Sequence, residues 1–203
     1  MSIRILDHQL GERLIAERRR SGADRYDEVW DGVYVMSPLA NNEHQKLATK
    51  LARVFDEVLG DREDVSSIAG ANVSDQETEW TKNYRCPDVV VVLPGLRAID
   101  RGTHWHGGPD FVVEIVSEGD ATYEKLDFYS KIRVRELLIV DRDPWALELY
   151  RLSELGKLVL VGRVNIGSTD AVASEVLGAE VSLTRRGNHP SVSVRLAGRS
   201  WHT

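Results

Sequence analysis

Three side chains stand where they add nothing to stability by themselves. Asp88 opens an apolar strand directly after Pro87, in Pro87-Asp-Val-Val-Val-Val-Leu93. Glu114 lies in the middle of Phe111-Val-Val-Glu-Ile-Val116, and strand alternation puts it on the face of Val112 and Val116. Lys125 falls on the apolar stripe of the helix that the pattern predicts next, so it points at the sheet. A buried carboxylate must be paired, protonated or bound to metal. Two carboxylates and an ammonium converging on one sheet face suit a hard, oxygen-liganded cation such as Mg²⁺ beside a scissile phosphate. The same residues suit an internal Glu114–Lys125 ion pair that satisfies both groups. Spacing alone does not separate the two.

The elements that must position these residues are legible in outline. Leu6 to Arg20 reads as a helix, with Asp7 as cap and Leu10, Leu14 and Ile15 on one face. Tyr26 to Met36 reads as a hairpin closed at Asp31-Gly32 and ended by Ser37-Pro38. Asn42 to Leu59 is the strongest helix: Leu47, Leu51, Val54, Phe55 and Val58 form its stripe, and Gly60 ends it. His44 falls on its inward side. Lys46, Lys50 and Arg53 form a separate basic row that could touch phosphates or face solvent. Val65 to Ile68, Asp88 to Leu93 and Phe111 to Val116 read as strands, the last two continuous enough to be covered on both faces. Arg97 to Gly108 reads as a loop and Asp120 to Lys131 as a second helix. Glu136 to Val140 and Leu147 to Leu152 read as strands joined at Asp143-Pro144, and Lys157 to Val164 and Val181 to Leu183 continue in β. The expectation is one mixed α/β (α+β) domain over residues 1–203.

Composition removes several function classes. The 203 residues are 42% hydrophobic and 29% charged, an ordinary globular balance. No apolar run approaches the roughly 20 residues that cross a bilayer, and the start carries no signal-peptide pattern. A soluble, cytoplasmic protein without membrane contact is expected. The single cysteine, Cys86, excludes an internal disulfide or a Cys-based zinc cluster. No Gly-rich phosphate loop or Ser-His-Asp order is visible, and His104-x-His106 lacks a third metal ligand. The formal charge of −6 disfavours a protein that simply coats nucleic acid. The acidity is uneven, however: residues 181–203 hold Arg185, Arg186, Arg195 and Arg199 and no acid.

The segment from Tyr26 to Leu152 resembles the Uma-type family of restriction-endonuclease-like proteins, a branch of the PD-(D/E)xK nuclease superfamily common in bacteria. Glu28-Val-Trp-Asp31-Gly32 is similar to its Glu-x-x-Asp-Gly hairpin, and Met36-Ser37-Pro38 to the end of the second strand. His44, Pro87-Asp88 with four valines, Glu114-Ile-Val-Ser117, Lys125-x-x-x-Tyr129 and Glu136-Leu-Leu-Ile-Val-Asp141 follow in the family's order. The resemblance implies a restriction-endonuclease-like core: a central mixed sheet flanked by helices, with an N-terminal helix and hairpin. It also implies roles. Asp88, Glu114 and the Ile115 carbonyl would ligate Mg²⁺ or Mn²⁺. Lys125 would stand in for the strand lysine of the wider superfamily, whose position here is Val116. Glu28 would be an auxiliary ligand, and His44 and Tyr129 auxiliary residues. The family's Asp four residues before the lysine is here Ala121.

Two functions remain open at this level. One is a metal-dependent endonuclease acting on nucleic acid, DNA first, as a homodimer, with Lys46, Lys50, Arg53, Arg185 and Arg186 as candidate phosphate contacts. The other is a non-catalytic module that keeps the fold to bind nucleic acid or a protein partner.

Overall fold

Asp31 and Gly32 take φ of +48° and +85°, as a two-residue type I′ turn requires, and this closes the expected hairpin. Its strands are β1 (Glu28–Trp30) and β2 (Val33–Met36). The structure, a computed structural model, describes residues 3–4, 8–37, 40–60, 62–95, 97–119, 121–187 and 189–203. The expected cap Asp7, the hairpin stop Pro38 and the helix start Asp120 lie outside the described residues.

Helix α1 (His8–Ser21) precedes the hairpin and is tied to it by Arg18. The guanidinium donates to both oxygens of Asp27 (2.5 and 2.6 Å), which also accepts from the Tyr34 hydroxyl and the Ser37 amide. Helix α2 (Asn42–Leu59) has the expected bounds. The Asn41 side chain accepts from the His44 amide at 2.9 Å, and Gly60 at φ +88° ends the helix.

The central sheet contains β3 (Ser66–Ala69), β4 (Val89–Val92), β5 (Phe111–Ile115), β6 (Glu136–Arg142), β7 (Trp145–Leu152) and β8 (Leu158–Asn165). Their order is β8-β7-β6-β5-β4-β3, with β5 parallel to β6 and the other neighbours antiparallel. Both faces are covered, which explains the unbroken valine and leucine runs. On one face Leu47, Leu51 and Phe55 of α2 meet Val89, Val91, Phe111 and Val113. On the other, Phe128, Tyr129 and Ile132 meet Val90, Val112, Leu137 and Ile139.

Three expectations need correction. The second helix is split: a 3-10 turn at Thr122–Lys125 leads into a short α3 (Leu126–Lys131), and neither start has a side-chain cap to hold a longer helix. The Arg97–Gly108 loop contains the two-residue strands Ile99–Asp100 and Trp105–His106, bent around Gly102 at φ +78°. They complete a seven-stranded sheet with Ile3–Arg4, the hairpin, Tyr84–Arg85 and Val73–Ser74. Finally, the C-terminal part forms a third sheet of β9 (Val172–Ser174), β10 (Ala179–Arg186), β11 (His189–Leu196) and β12 (Arg199–His202). Val181, Leu183, Val192 and Val194 join it to the α2 core. Among the described residues, no helix is long and apolar enough to cross a membrane.

Strand β5 depends on a close backbone approach just before it. A Cβ on Gly108 would lie 2.3 Å from the Ile132 carbonyl oxygen and 2.7 Å from the Val134 nitrogen. Gly108→Ala should therefore cost about 3 kcal/mol, as overpacking against rigid backbone does. A denaturant midpoint indistinguishable from wild type would show that this approach is not tight.

Candidate active site

Five segments meet at one end of the central sheet: the β1 strand, the start of α2, the residue before β4, the end of β5 and the 3-10 turn. They enclose a cavity of about 230 Å³ whose polar lining includes Glu28, His44, Asp88, Glu114, Ser117 and Lys125. Residues fewer than a hundred apart in sequence thus arrive from five different segments because each sits at or beside an element's end, where side chains escape the packed interior.

The β4–β5 ladder ends at the Val89–Val113 pair, and Asp88 and Glu114 are each the next residue. The Asp88 amide donates to the Val113 carbonyl at 3.1 Å, and its carboxylate accepts the Ile115 amide at 2.7 Å. Asp88 therefore spans the backbone on both sides of Glu114. Its other oxygen lies 2.7 Å from His44 Nε2, and His44 Nδ1 lies 3.1 Å from the Ser117 hydroxyl. His44 is thus a buried clamp between the end of β5 and Asp88, whose own side chain stays 21% exposed to the cavity.

Lys125 is the centre of the acidic group. Its Nζ lies 3.1 and 3.0 Å from the two oxygens of Glu114 and 2.9 Å from Glu28 Oε1. Three acceptors match the three N–H donors of an ammonium. The Tyr129 hydroxyl donates to Glu114 Oε1. Glu28 is fixed in turn by the Cys86 amide (2.7 Å) and the Trp30 indole N–H (2.6 Å). Arg85 lies over the Trp30 and Phe128 rings, 4.7 and 4.1 Å from their centroids, and donates to the Val29 carbonyl at 2.9 Å. Burial holds its guanidinium below the usual range. Cys86 donates its thiol proton to Asn72 Oδ1 at 3.1 Å.

The ion pair expected as the alternative reading is present, and it is larger than expected because Glu28 shares it. Asp88, Glu114, Lys125, Glu28, His44, Tyr129 and Ile115 are brought together. The expected phosphate contacts are not: Lys46, Lys50 and Arg53 are exposed along α2, where Arg53 pairs with Glu57, and Arg185 and Arg186 are exposed at the end of β10. None of the five lines the cavity. His104 stacks on Trp80 with centroids 5.0 Å apart, and its Nε2 lies 3.1 Å from the Gln76 carbonyl, so it serves the loop. Among the described residues no group of three or more His, Cys, Asp or Glu side chains is arranged to hold a metal ion. Sequence reading missed the clamp by Ser117 and the Arg85–Trp30 support of Glu28. Ser117 stood in the quoted Glu-Ile-Val-Ser run, whereas nothing in the local pattern marked Arg85.

A family model named Uma2, described as "Putative restriction endonuclease", matches residues 14–185. The fold is similar to that of a crystal structure titled as "a putative nuclease belonging to DUF820" from Anabaena variabilis. The TM-score is 0.58 at 12% identity, covering 75% of this chain and 83% of that one. Such identity speaks to the fold alone, and the fold is restriction-endonuclease-like. No curated protein matches the chain.

The charges in the cavity do not balance: Asp88, Glu28 and Glu114 face the one ammonium of Lys125. Burial pushes the Glu114 carboxyl up to about 8, with Lys125 opposing and Asp88 and Glu28 adding to the rise. Lys125 is raised by Glu114 and Glu28 against the effect of its own burial. A carboxyl raised on folding binds more protons in the native than in the unfolded state between about 4.5 and 8, so its contribution falls as pH rises through that window. In chelator, the melting temperature should decline from pH 6 to pH 9, and Glu114→Gln, which cannot ionise, should flatten the decline. Parallel profiles for the two proteins would mean that Glu114 is already ionised at pH 6.

Proposed function

The chain belongs to the Uma2 family, and on that footing we propose that it is a divalent-metal-dependent nuclease hydrolysing phosphodiester bonds, with DNA as the first substrate to test. One observation carries the reading. An ammonium is held between two buried carboxylates at the edge of a cavity that a third, partly exposed carboxylate also enters. A binding surface for a polyanion gains nothing from three acids at its centre.

The donor set fits a hard cation. Asp88, Glu114 and the Ile115 carbonyl offer oxygen only, and the acids exceed the local positive charge. Mg²⁺ usually keeps several waters and needs one or two carboxylates, so Asp88 and Glu114 suffice to hold Mg²⁺ or Mn²⁺. When bound, the ion supplies Lewis-acid stabilisation of charge on the phosphate. The remaining work falls to the chain. Asp88 is oriented by the Ile115 amide and His44, with Ser117 fixing the imidazole from behind. Tyr129 orients Glu114. Lys125, held by Glu114 and Glu28, places a positive charge beside the phosphate as water attacks phosphorus and the bond to the departing sugar oxygen breaks. The water gives up its proton to solvent, and the departing oxygen takes one from solvent. As an ammonium Lys125 acts as counter-charge, not as the base.

The rival reading is a non-catalytic module. In its favour, every oxygen of Glu114 and Glu28 already has a partner within the chain. Asp88→Asn separates the two, because an asparagine keeps the carbonyl that accepts from Ile115. With Mg²⁺ or Mn²⁺ and single-stranded or duplex DNA, Asp88→Asn should lower cleavage by about two orders of magnitude. It should also abolish metal-induced stabilisation, which grows as ln(1 + [L]/Kd), while leaving the metal-free melting temperature within a few degrees. Wild-type protein that neither cleaves nor gains stability from either metal would establish the module instead.

A further inference from the structure

A second group of polar residues lies on the same sheet face as Glu114 but outside the cavity. Across the sheet Glu114 pairs with Ile139, Ile139 with Glu148, and Glu148 with Arg163, so the four occupy one row on β5, β6, β7 and β8. Glu148 is buried, yet all its described partners have exposed parts. Its Oε2 accepts from the hydroxyls of Tyr123 (3.2 Å) and Tyr150 (2.9 Å), and its Oε1 accepts from Arg163 at 2.8 Å. Tyr123 belongs to the 3-10 turn that carries Lys125, and its neighbour Thr122 lines the cavity.

The arrangement holds two side chains still in solvent. Tyr123 is 47% exposed and the Arg163 side chain 51% exposed. An exposed aromatic ring pinned through its hydroxyl is a preorganised platform for another flat ring. An arginine that gives one nitrogen to Glu148 and another to Asn165 Oδ1 (3.4 Å) still has free N–H donors. Glu148 lies two strands from Glu114, roughly 10 Å at the interstrand spacing. The platform therefore addresses a nucleotide beside the scissile phosphate, not the scissile one.

We propose that Tyr123 and Arg163 form a subsite for one unpaired nucleotide of a single-stranded nucleic acid, with the base stacked on the Tyr123 ring and its phosphate held by Arg163. This rests on the nuclease reading of the neighbouring cavity and narrows it to substrates with exposed bases. In an intact duplex each base face is covered by its neighbours, whereas an open strand offers that face to an aromatic ring.

The test is equilibrium binding in chelator, where no cleavage intervenes, using fluorescein-labelled oligo-dT and a duplex of equal length. Tyr123→Ala should weaken single-strand binding by about tenfold, the equivalent of ~1.4 kcal/mol, and leave duplex binding unchanged. Tyr123→Phe, which keeps the ring, should stay within about threefold of wild type, and Arg163→Gln should lower the single-strand salt slope by about 0.7. Single-strand affinity of Tyr123→Ala within twofold of wild type would overturn the proposal. So would equal losses for Tyr123→Ala and Tyr123→Phe, or equal losses on the two substrates. A wild-type protein that shows this binding pattern but never cleaves would defeat the nuclease reading while leaving the subsite in place.

Discussion

The Lys125 ammonium is the contact on which the architecture turns. It reaches Glu114 on the central sheet and Glu28 on the hairpin from a turn that belongs to neither. Buried charges of this kind add little net stability, because desolvation cancels most of the attraction. They are severe about geometry, however: moving any one member leaves the others as unpaired charges in an apolar setting. The hairpin, the sheet and the turn are thereby held to one relative position. Asp88, held separately by His44 and the Ile115 amide, is not part of that bargain, so its substitution reports on chemistry more cleanly than a change at Lys125.

Topology explains how a lysine outside the strand can do this. Strands β5 and β6 are parallel neighbours, and parallel neighbours need a crossover between the end of one and the start of the next. The crossover leaves the sheet where Glu114 sits and must pass over one face before returning. Its 3-10 turn is Thr122–Lys125, so a lysine placed there arrives at the carboxylate without any change to the strand. Val116, at the position where the wider superfamily would carry the lysine, is left to pack against the apolar face.

Much of this was legible in the sequence, and the limits have physical causes. Helix α2 could be read to its ends because a five-residue stripe and a glycine terminator agree; the Asn41 cap is added by the structure. The strands bearing Asp88 and Glu114 were legible because acids interrupt otherwise unbroken apolar runs. Glu28 was placed only by resemblance, since its partners, the Cys86 amide and Lys125, are far away in sequence. Arg85 gave no signal at all: a buried guanidinium looks like any surface arginine until the Trp30 and Phe128 rings close on it. The C-terminal sheet was only half visible because β11 alternates serine with valine, and Ser191 and Ser193 are buried beside Val192 and Val194. The basic row on α2 was a correct reading of exposure, but the helix presents it away from the cavity lining.

The dispersed origin of the cavity has a consequence for how the protein is made. His44 meets Asp88 across 44 residues and Ser117 across 73, and Lys125 must join them before Glu28 has its counter-charge. Contacts so distant in sequence form late, because the intervening chain must give up its freedom first. A ribosome-bound fragment ending before the crossover holds the hairpin, α2 and both carboxylate strands but has no lysine to bring them together. Hydrolytic competence, on the proposed reading, is therefore withheld from the nascent chain until most of it has been synthesised and has closed on itself.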